Sequence, residues 1–338
     1  MTRRRRPLVA VVVAGLAVAV AACGRGGART AATATSTTPA PTTTAPPRPS
    51  TTRRHATPHP RPTTAAPTSP PTTAAPPAPT APAPTAAPVP ASIAPGATTT
   101  IVVVNGSRTL PTTLFIPPGP RPWPTVVFAS GYDIEPAAYE QLIHSWAAAG
   151  YLVAAPASPG MAPSQGPVTE AQLPNVPGDL SAVATRLVTD GLADPGRLAA
   201  AGHSDGASAV GALALTADHA DARFRAFVVL AGDITTLPDS YGPRNGAPLL
   251  AATGDADEFG NATLTPQLYD TAAAPKALVL AHGGSHLGSF LGDTPQATAM
   301  RAAIVDFLGA SLRHGPWSPL ASLNGQAGLT VTSNGIPR

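Results

Sequence analysis

The chain is poor in cysteine, aromatic residues and charge, and each shortage narrows what it can be. A single cysteine, Cys23, excludes an intramolecular disulfide and a cysteine-based metal cluster. Aromatic residues make up only 4% and charged residues only 12% of the 338 positions. Acidic residues are missing from the first 100 positions, which carry ten arginines, whereas residues 101–338 carry 11 basic and 18 acidic residues, a net charge of −7. This acidic part argues against a basic groove, so we expect no nucleic-acid partner.

The first 22 residues have the pattern of an export signal. Four arginines at positions 3–6 precede fifteen apolar or small residues, 8–22, and such a run is short for a spanning helix of about 20 residues. Cys23 follows Val-Ala-Ala, which resembles a bacterial lipobox. We therefore predict a signal peptide over 1–22 and a lipid on Cys23 that anchors the exported chain to the cell membrane, facing the cell wall or the extracellular side. The alternative is an ordinary signal peptide, or an uncleaved anchor, with a chance cysteine.

In contrast to cysteine, proline is abundant in this sequence, and it is concentrated in the segment after the leader. Residues 24–100 contain 19 prolines, mixed mainly with alanine and threonine, and have no apolar periodicity. Such a segment cannot bury enough apolar surface to offset the entropy of folding, and its prolines favour extended conformations. We predict a disordered tether over residues 23–95 and a folded domain over residues 96–338.

The folded domain has the alternation of short apolar runs and amphipathic segments that is typical of an α/β protein. We predict a mostly parallel sheet with helices on both faces. The predicted strands are 101–104, 113–116, 125–129, 151–155, 197–201, 226–230, 248–252 and 277–280, the first two antiparallel. The predicted helices are 136–149, one capped by Asp179 with Leu180, Val183, Leu187 and Leu192 on one face, one ending at 214, and 295–312.

One motif in this pattern indicates nucleophilic catalysis. Residues 202–206 read Gly-His-Ser-Asp-Gly, a G-x-S-x-G motif with an apolar strand before it and a helix of small residues after it. A nucleophile elbow requires this strand–turn–helix context, because the serine must stand in a tight turn at a helix N-terminus. A serine hydroxyl is a weak nucleophile, so Ser204 needs a base within hydrogen-bonding reach. His203, inside the motif, is expected to pack behind the nucleophile.

From about residue 113 to residue 312, these features resemble the α/β-hydrolase superfamily, in particular its dienelactone-hydrolase-like, chlorophyllase-like and PET-hydrolase (cutinase)-like esterases. The resemblance implies a Ser…Asp…His order along the chain. It assigns Ser204 as the nucleophile, Asp257 of the Gly-Asp-Ala-Asp turn as the acid, and His286 of Gly-Gly-Ser-His as the base. It also implies that the backbone N–H groups of Tyr132 and Asp205 form the oxyanion hole.

The residues themselves leave the triad acid open. Asp255 lies two positions before Asp257, and Asp233 follows an earlier strand, where some relatives place the acid. We favour Asp257 because of its spacing from Gly254. His282 is expected to end its strand rather than act as the base.

The expected activity is cleavage of carboxylic esters, small or polymeric, through an acyl-enzyme, with no cofactor and no metal. The loop between positions 233 and 248 is too short for a large lid domain, and we expect a monomer. Two other functions fit the same residues. One is a non-catalytic binding protein of the cell envelope, and the other is a thioesterase or peptidase that uses the same triad.

Overall fold

A computed structural model describes residues 94, 96–237, 240–243 and 246–336 of the chain. The predicted leader (1–22), Cys23 and, apart from Ala94, the predicted tether lie outside the described residues. The strands of the described part form one sheet in the order β1-β2-β4-β3-β5-β6-β7-β8-β9. Their bounds are β1 (Thr98–Asn105), β2 (Arg108–Phe115), β3 (Trp123–Ala129), β4 (Leu152–Pro156), β5 (Ala193–His203), β6 (Phe224–Leu230), β7 (Leu249–Gly254), β8 (Lys276–Ala281) and β9 (Leu329–Asn334).

The centre of the sheet is parallel and its edges are antiparallel. Strands β4, β3, β5, β6, β7 and β8 all run in one direction. At one edge β2 runs antiparallel to β1 and β4, and at the other β9 runs antiparallel to β8. The predicted mixed, mostly parallel sheet and the antiparallel opening pair are confirmed.

Helices cover both faces of the sheet. They are α1 (Glu140–Ala148), α2 (Val176–Thr189), α3 (Asp205–Leu215), α4 (Asn261–Thr271), α5 (Pro295–Arg313) and α6 (Ser318–Ser322). Helices α2, α3 and α4 contribute to one apolar core, and α1, α5 and α6 contribute to the other. The strands supply both cores by alternation: Val127 and Ala129 of β3 face the first, whereas Val126 and Phe128 face the second.

The structure corrects two of the predicted helices. The segment 136–149 is not one helix: a 3₁₀ turn at Pro136–Tyr139 precedes α1. The prediction that Asp179 caps the next helix is wrong, because α2 begins three residues earlier, and Leu192 lies beyond its end. Asp179 is instead fully buried and forms an ion pair with Arg108 of β2, at 2.7 Å between carboxylate and guanidinium. An unpaired charge inside a protein is strongly destabilising, so the buried carboxylate of Asp179 requires a cationic partner.

Three further elements were not predicted: α4, α6 and β9. Helix α4 follows β7 and contains Pro266, and β9 follows the short helix α6 near the end of the chain. The end of the chain therefore packs on the domain: Leu329 of β9 and Leu320 of α6 are both buried. The loop between β6 and β7 contains no helix among its described residues.

Candidate active site

Ser204 occupies a strained turn between β5 and α3. Its φ is 55° and its ψ is −127°, a conformation that is unfavourable for a residue with a side chain. The flanking glycines follow from close approach: a Cβ on Gly202 would collide with the backbone of Gly206, and one on Gly206 with the carbonyls of Ala129 and Ser130. The local structure is thus the tight, strained strand–turn–helix that the motif predicted.

His286 and Asp257 lie together at the same edge of the sheet as Ser204, in the loops that follow β8 and β7. The imidazole Nδ1 of His286 is 2.8 Å from Oδ2 of Asp257, and both side chains are buried. A carboxylate only accepts hydrogen bonds, so Nδ1 carries the proton and Nε2 is left as the basic nitrogen. The loops themselves touch, because Gly254, the last residue of β7, lies directly against the Gly284 carbonyl with no room for a Cβ.

The other candidate acids and the second histidine lie elsewhere. Asp255 binds His282 at 2.9 Å between Oδ2 and Nδ1, and both side chains are about half exposed. Asp233 accepts hydrogen bonds from the backbone and hydroxyl groups of Thr235 and Thr236, which makes it a cap for its own loop. The structure therefore brings Asp257, and neither Asp255 nor Asp233, to His286.

The predicted oxyanion donors stand on the two elements beside Ser204. Asp205 is the first residue of α3, so its backbone N–H is one of the amide groups that a helix N-terminus leaves unpaired. Tyr132 lies in the loop after β3, next to Gly131, where an added Cβ would be 3.2 Å from Cβ of Ser204. Both residues are thus next to Ser204. The helix N-terminus also favours negative charge at this point.

Carboxyl groups shape the electrostatics around the elbow. Burial raises the pKa of Asp205, and the nearby carboxylates of Asp233 and Glu170 raise it further. On the other side, the backbone N–H of His286 donates to Oε2 of Glu258 at 3.0 Å, and this hydrogen bond lowers the pKa of Glu258. Apart from the helix N-terminus, the surroundings of Ser204 are therefore acidic, and this disfavours a bound molecule that carries further negative charge.

Apart from Tyr132, the sequence interpretation did not identify the apolar rim of this site. Four large apolar side chains are prominently exposed in the described residues, and three of them adjoin the triad candidates. Phe259 is 70% exposed, and its ring centroid is 4.7 Å from that of His286. Tyr132 (37% exposed) follows Gly131, and Leu287 (38%) follows His286. The available signal was their position: Tyr132 is itself a predicted site residue, Leu287 directly follows His286, and Phe259 lies two positions after Asp257. We call Tyr132, Phe259 and Leu287 the apolar rim.

The described residues also bear on metal binding and on membrane insertion. No group of three or more His, Cys, Asp or Glu side chains in that part of the chain is arranged to hold a metal ion. None of the helices described in the structure combines the length and the hydropathy needed to cross a bilayer.

Comparisons with known proteins give one family match and several structural matches. Residues 95–233 match the family model described as Chlorophyllase. A ferulic acid esterase from Streptomyces cinnamoneus superposes with a TM-score of 0.58 at 19% identity, covering 72% of this chain and 98% of the other. A puromycin-hydrolyzing peptidase of Mycobacterium tuberculosis gives a TM-score of 0.50 at 21% identity, covering 63% of this chain and 39% of its own. No curated protein matches by sequence.

Proposed function

Because the chain has the α/β-hydrolase fold, we propose that it is a serine hydrolase that cleaves carboxylic esters, with Ser204 as nucleophile, His286 as base and Asp257 as acid. The observation that carries the proposal is the buried 2.8 Å contact between Nδ1 of His286 and Oδ2 of Asp257, beside a serine in the strained elbow conformation. The family match and the esterase among the structural matches support an esterase-type hydrolase.

The roles follow from the proton positions. Nε2 of His286 takes the hydroxyl proton of Ser204 as its Oγ forms a bond to the ester carbonyl carbon, while Asp257 stabilises the imidazolium. The backbone N–H groups of Tyr132 and Asp205 bind the oxyanion, and losing one such donor costs about 3 kcal/mol of transition-state stabilisation. His286 then passes the proton to the departing alcohol. Water cleaves the acyl-enzyme with the same base, which restores Ser204.

The apolar rim indicates the kind of ester. An exposed phenylalanine against the catalytic base offers a flat apolar surface next to the scissile bond, and such exposed apolar groups mark binding sites. The carboxyl groups around Ser204 disfavour anions. We infer that the substrate is an uncharged ester with an aromatic or aliphatic group next to the carbonyl. The ferulic acid esterase among the structural matches is named for an aromatic acyl group of this kind.

The proposal extends to the location of the enzyme. A signal peptide at 1–22 and a lipid on Cys23 would place the catalytic domain on the outer side of the cell membrane. The proline-rich segment would hold it away from the bilayer. The lipobox-like sequence before the only cysteine supports this part of the proposal. Intact-mass measurement of the membrane fraction tests it, since an unlipidated chain would contradict the anchor.

The experiment for the activity is a substrate panel with the full chain. We expect turnover of p-nitrophenyl acetate, butyrate and octanoate and of methyl ferulate, with none by Ser204→Ala. Phe259→Ala should raise KM for the aromatic and octanoyl esters several-fold more than for the acetate. Val102→Ala, an exposed apolar residue on the edge strand β1, is the matched control and should behave as wild type.

One observation favours the alternative hypothesis of a peptidase: a puromycin-hydrolyzing peptidase is among the structural matches. An amide added to the panel separates the two activities. Turnover of the amide but of none of the esters would contradict the esterase proposal. A folded wild type that cleaves neither would favour a binding protein of the cell envelope.

A further inference from the structure

Behind the nucleophile, a buried chain of hydrogen bonds joins three loops of the site. The backbone N–H of Gly131 donates to the hydroxyl oxygen of Tyr139 at 3.2 Å. That oxygen is 2.9 Å from Nδ1 of His203. On the other side of the ring, Nε2 of His203 is 3.1 Å from the backbone carbonyl oxygen of His286. Tyr139 and His203 are completely buried.

The chemistry of these groups fixes the direction of every bond. A carbonyl oxygen only accepts hydrogen bonds, so Nε2 of His203 must carry a proton and donate a hydrogen bond to the backbone carbonyl oxygen of His286. Burial lowers the pKa of His203 to about 3, so the ring is neutral and Nδ1 is an acceptor. Tyr139 therefore donates its hydroxyl proton to Nδ1 and accepts from Gly131. In this single arrangement, each polar group in this series of hydrogen bonds has a partner.

We propose that Tyr139 and His203 are positioning residues that hold the oxyanion loop and the catalytic-base loop in register across the nucleophile elbow. This inference rests on the proposed function. Gly131 directly precedes the oxyanion donor Tyr132, and His203 directly precedes Ser204. The third contact is the backbone of His286 itself. One chain of hydrogen bonds thus connects the donor, the nucleophile and the base, although neither Tyr139 nor His203 touches the substrate.

Packing explains why the ring of His203 cannot turn away from this arrangement. It stands among Tyr139, His286 and Phe290, with ring centroids 5.4, 4.5 and 5.5 Å away. Tyr139 is fixed in turn against Phe128, at 5.0 Å between ring centroids. An imidazole with one donor and one acceptor on opposite sides fits between a hydroxyl and a carbonyl, whereas an apolar side chain would leave both unpaired.

Substitutions at His203 and Tyr139 separate the hydrogen bonds on the two sides of the His203 ring. His203→Leu removes both bonds of the ring. His203→Gln places an amide donor near the position of Nε2 and keeps the bond to His286. His203→Asn places an acceptor near the position of Nδ1 and keeps the bond to Tyr139. Tyr139→Phe removes the hydroxyl but keeps the aromatic packing. Tyr151→Phe is the matched control, because that tyrosine is also buried and its hydroxyl has no hydrogen-bond partner among the described residues.

We expect His203→Leu and Tyr139→Phe each to lower kcat by about tenfold to a hundredfold, with KM within twofold of wild type, because the reacting groups are displaced and not removed. His203→Gln and His203→Asn should each restore part of the loss. The double variant His203→Leu/Tyr139→Phe should lose less than the product of the two single losses. Tyr151→Phe should keep the wild-type kcat. Urea unfolding of each variant separates loss of kcat from loss of fold.

Nitrogen NMR of the full chain with labelled histidine provides a readout that does not require activity. We expect His203 to be the Nε2–H tautomer and to show no titration between pH 5 and pH 8. A protonated Nδ1, or a folded Tyr139→Phe and a folded His203→Leu with kcat within twofold of wild type, would overturn the proposal. If wild type itself cleaves no ester, the proposed function fails, and the tautomer alone decides whether the chain of bonds exists.

Discussion

At the scale of single residues, the account depends on which carboxylate orients the base. Asp257 and Asp255 differ by two positions, yet one contacts the buried His286 and the other the exposed His282. An asparagine at 257 can present its amide group to Nδ1 and so favour the wrong imidazole tautomer. An asparagine at 255 changes only a surface pair, and such pairs contribute little.

We therefore expect Asp257→Asn to lower kcat for p-nitrophenyl butyrate by about 10⁴-fold. Asp255→Asn should stay within twofold of wild type. Steady-state kinetics of the two purified variants measures this. A large loss in Asp255→Asn together with an active Asp257→Asn would reverse the assignment of the acid.

The sequence identified the candidate residues of the site, but it could not settle the choice among the three candidate acids, and the reason is physical. The strained turn at Ser204 and the close approach of Gly202 to Gly206 demand particular residue types, so the motif could be recognised. Asp233, Asp255 and Asp257 are chemically identical, and only the tertiary contact with His286 separates them. Phe259 escaped notice because an exposed aromatic residue in a loop has no periodic pattern.

At the scale of elements, predictability followed the strength of the apolar pattern. The apolar, buried strand β3 and the apolar second parts of β5 and β6 gave a clear signal. The bounds of β3 and β6 were predicted within two residues, whereas β5 begins four residues before its predicted start, in a polar segment. Strand β9 reads Leu-Thr-Val-Thr-Ser-Asn, a partly exposed edge strand with little apolar signal. Helix α4 contains Pro266 at its sixth position, and a proline inside a helix removes a backbone hydrogen bond, which argues against a helix in a sequence. Both elements gain their stability from tertiary contacts with the sheet.

Strand β9 gives a prediction at this scale. Leu329 is 1% exposed and its backbone pairs with Ala281 at the end of β8. Leu329→Ala should lower the free energy of unfolding by about 2 to 5 kcal/mol, as large-to-small changes in a core do. Thr332→Ala, at an exposed position of the same strand, should change it by less than about 0.5 kcal/mol. Urea unfolding monitored by circular dichroism decides. Equal stability of the two variants would show that β9 does not pack.

At the scale of the whole molecule, the buried neutral His203 couples folding to pH. Burial lowers its pKa from the ordinary 6.5 to about 3; the charge of His286 lowers it too, while the hydrogen bond to the His286 backbone and the charge of Asp257 oppose the shift. Between these two values the unfolded chain binds a proton that the folded chain does not. Stability therefore falls as pH is lowered from 6.5 towards 3, by about 1.4 kcal/mol per pH unit for this group.

The comparison of wild type with His203→Gln isolates this contribution, because the other titrating groups are common to both. At pH 7 wild type should be the more stable, and its advantage in unfolding free energy should shrink by about 2 to 3 kcal/mol at pH 4.5. Urea unfolding at the two pH values measures it. A difference that does not change with pH would contradict a neutral, buried His203.

Ser204 is tested as the nucleophile most directly by labelling the full chain with a fluorophosphonate probe, followed by intact-mass measurement and peptide mapping. We expect one probe per chain, attached to Ser204, with no labelling of Ser204→Ala and normal labelling of Ser208→Ala, a buried serine one turn into α3. A folded wild type that is not labelled, or that is labelled at another residue, would contradict the assignment of Ser204 as the nucleophile.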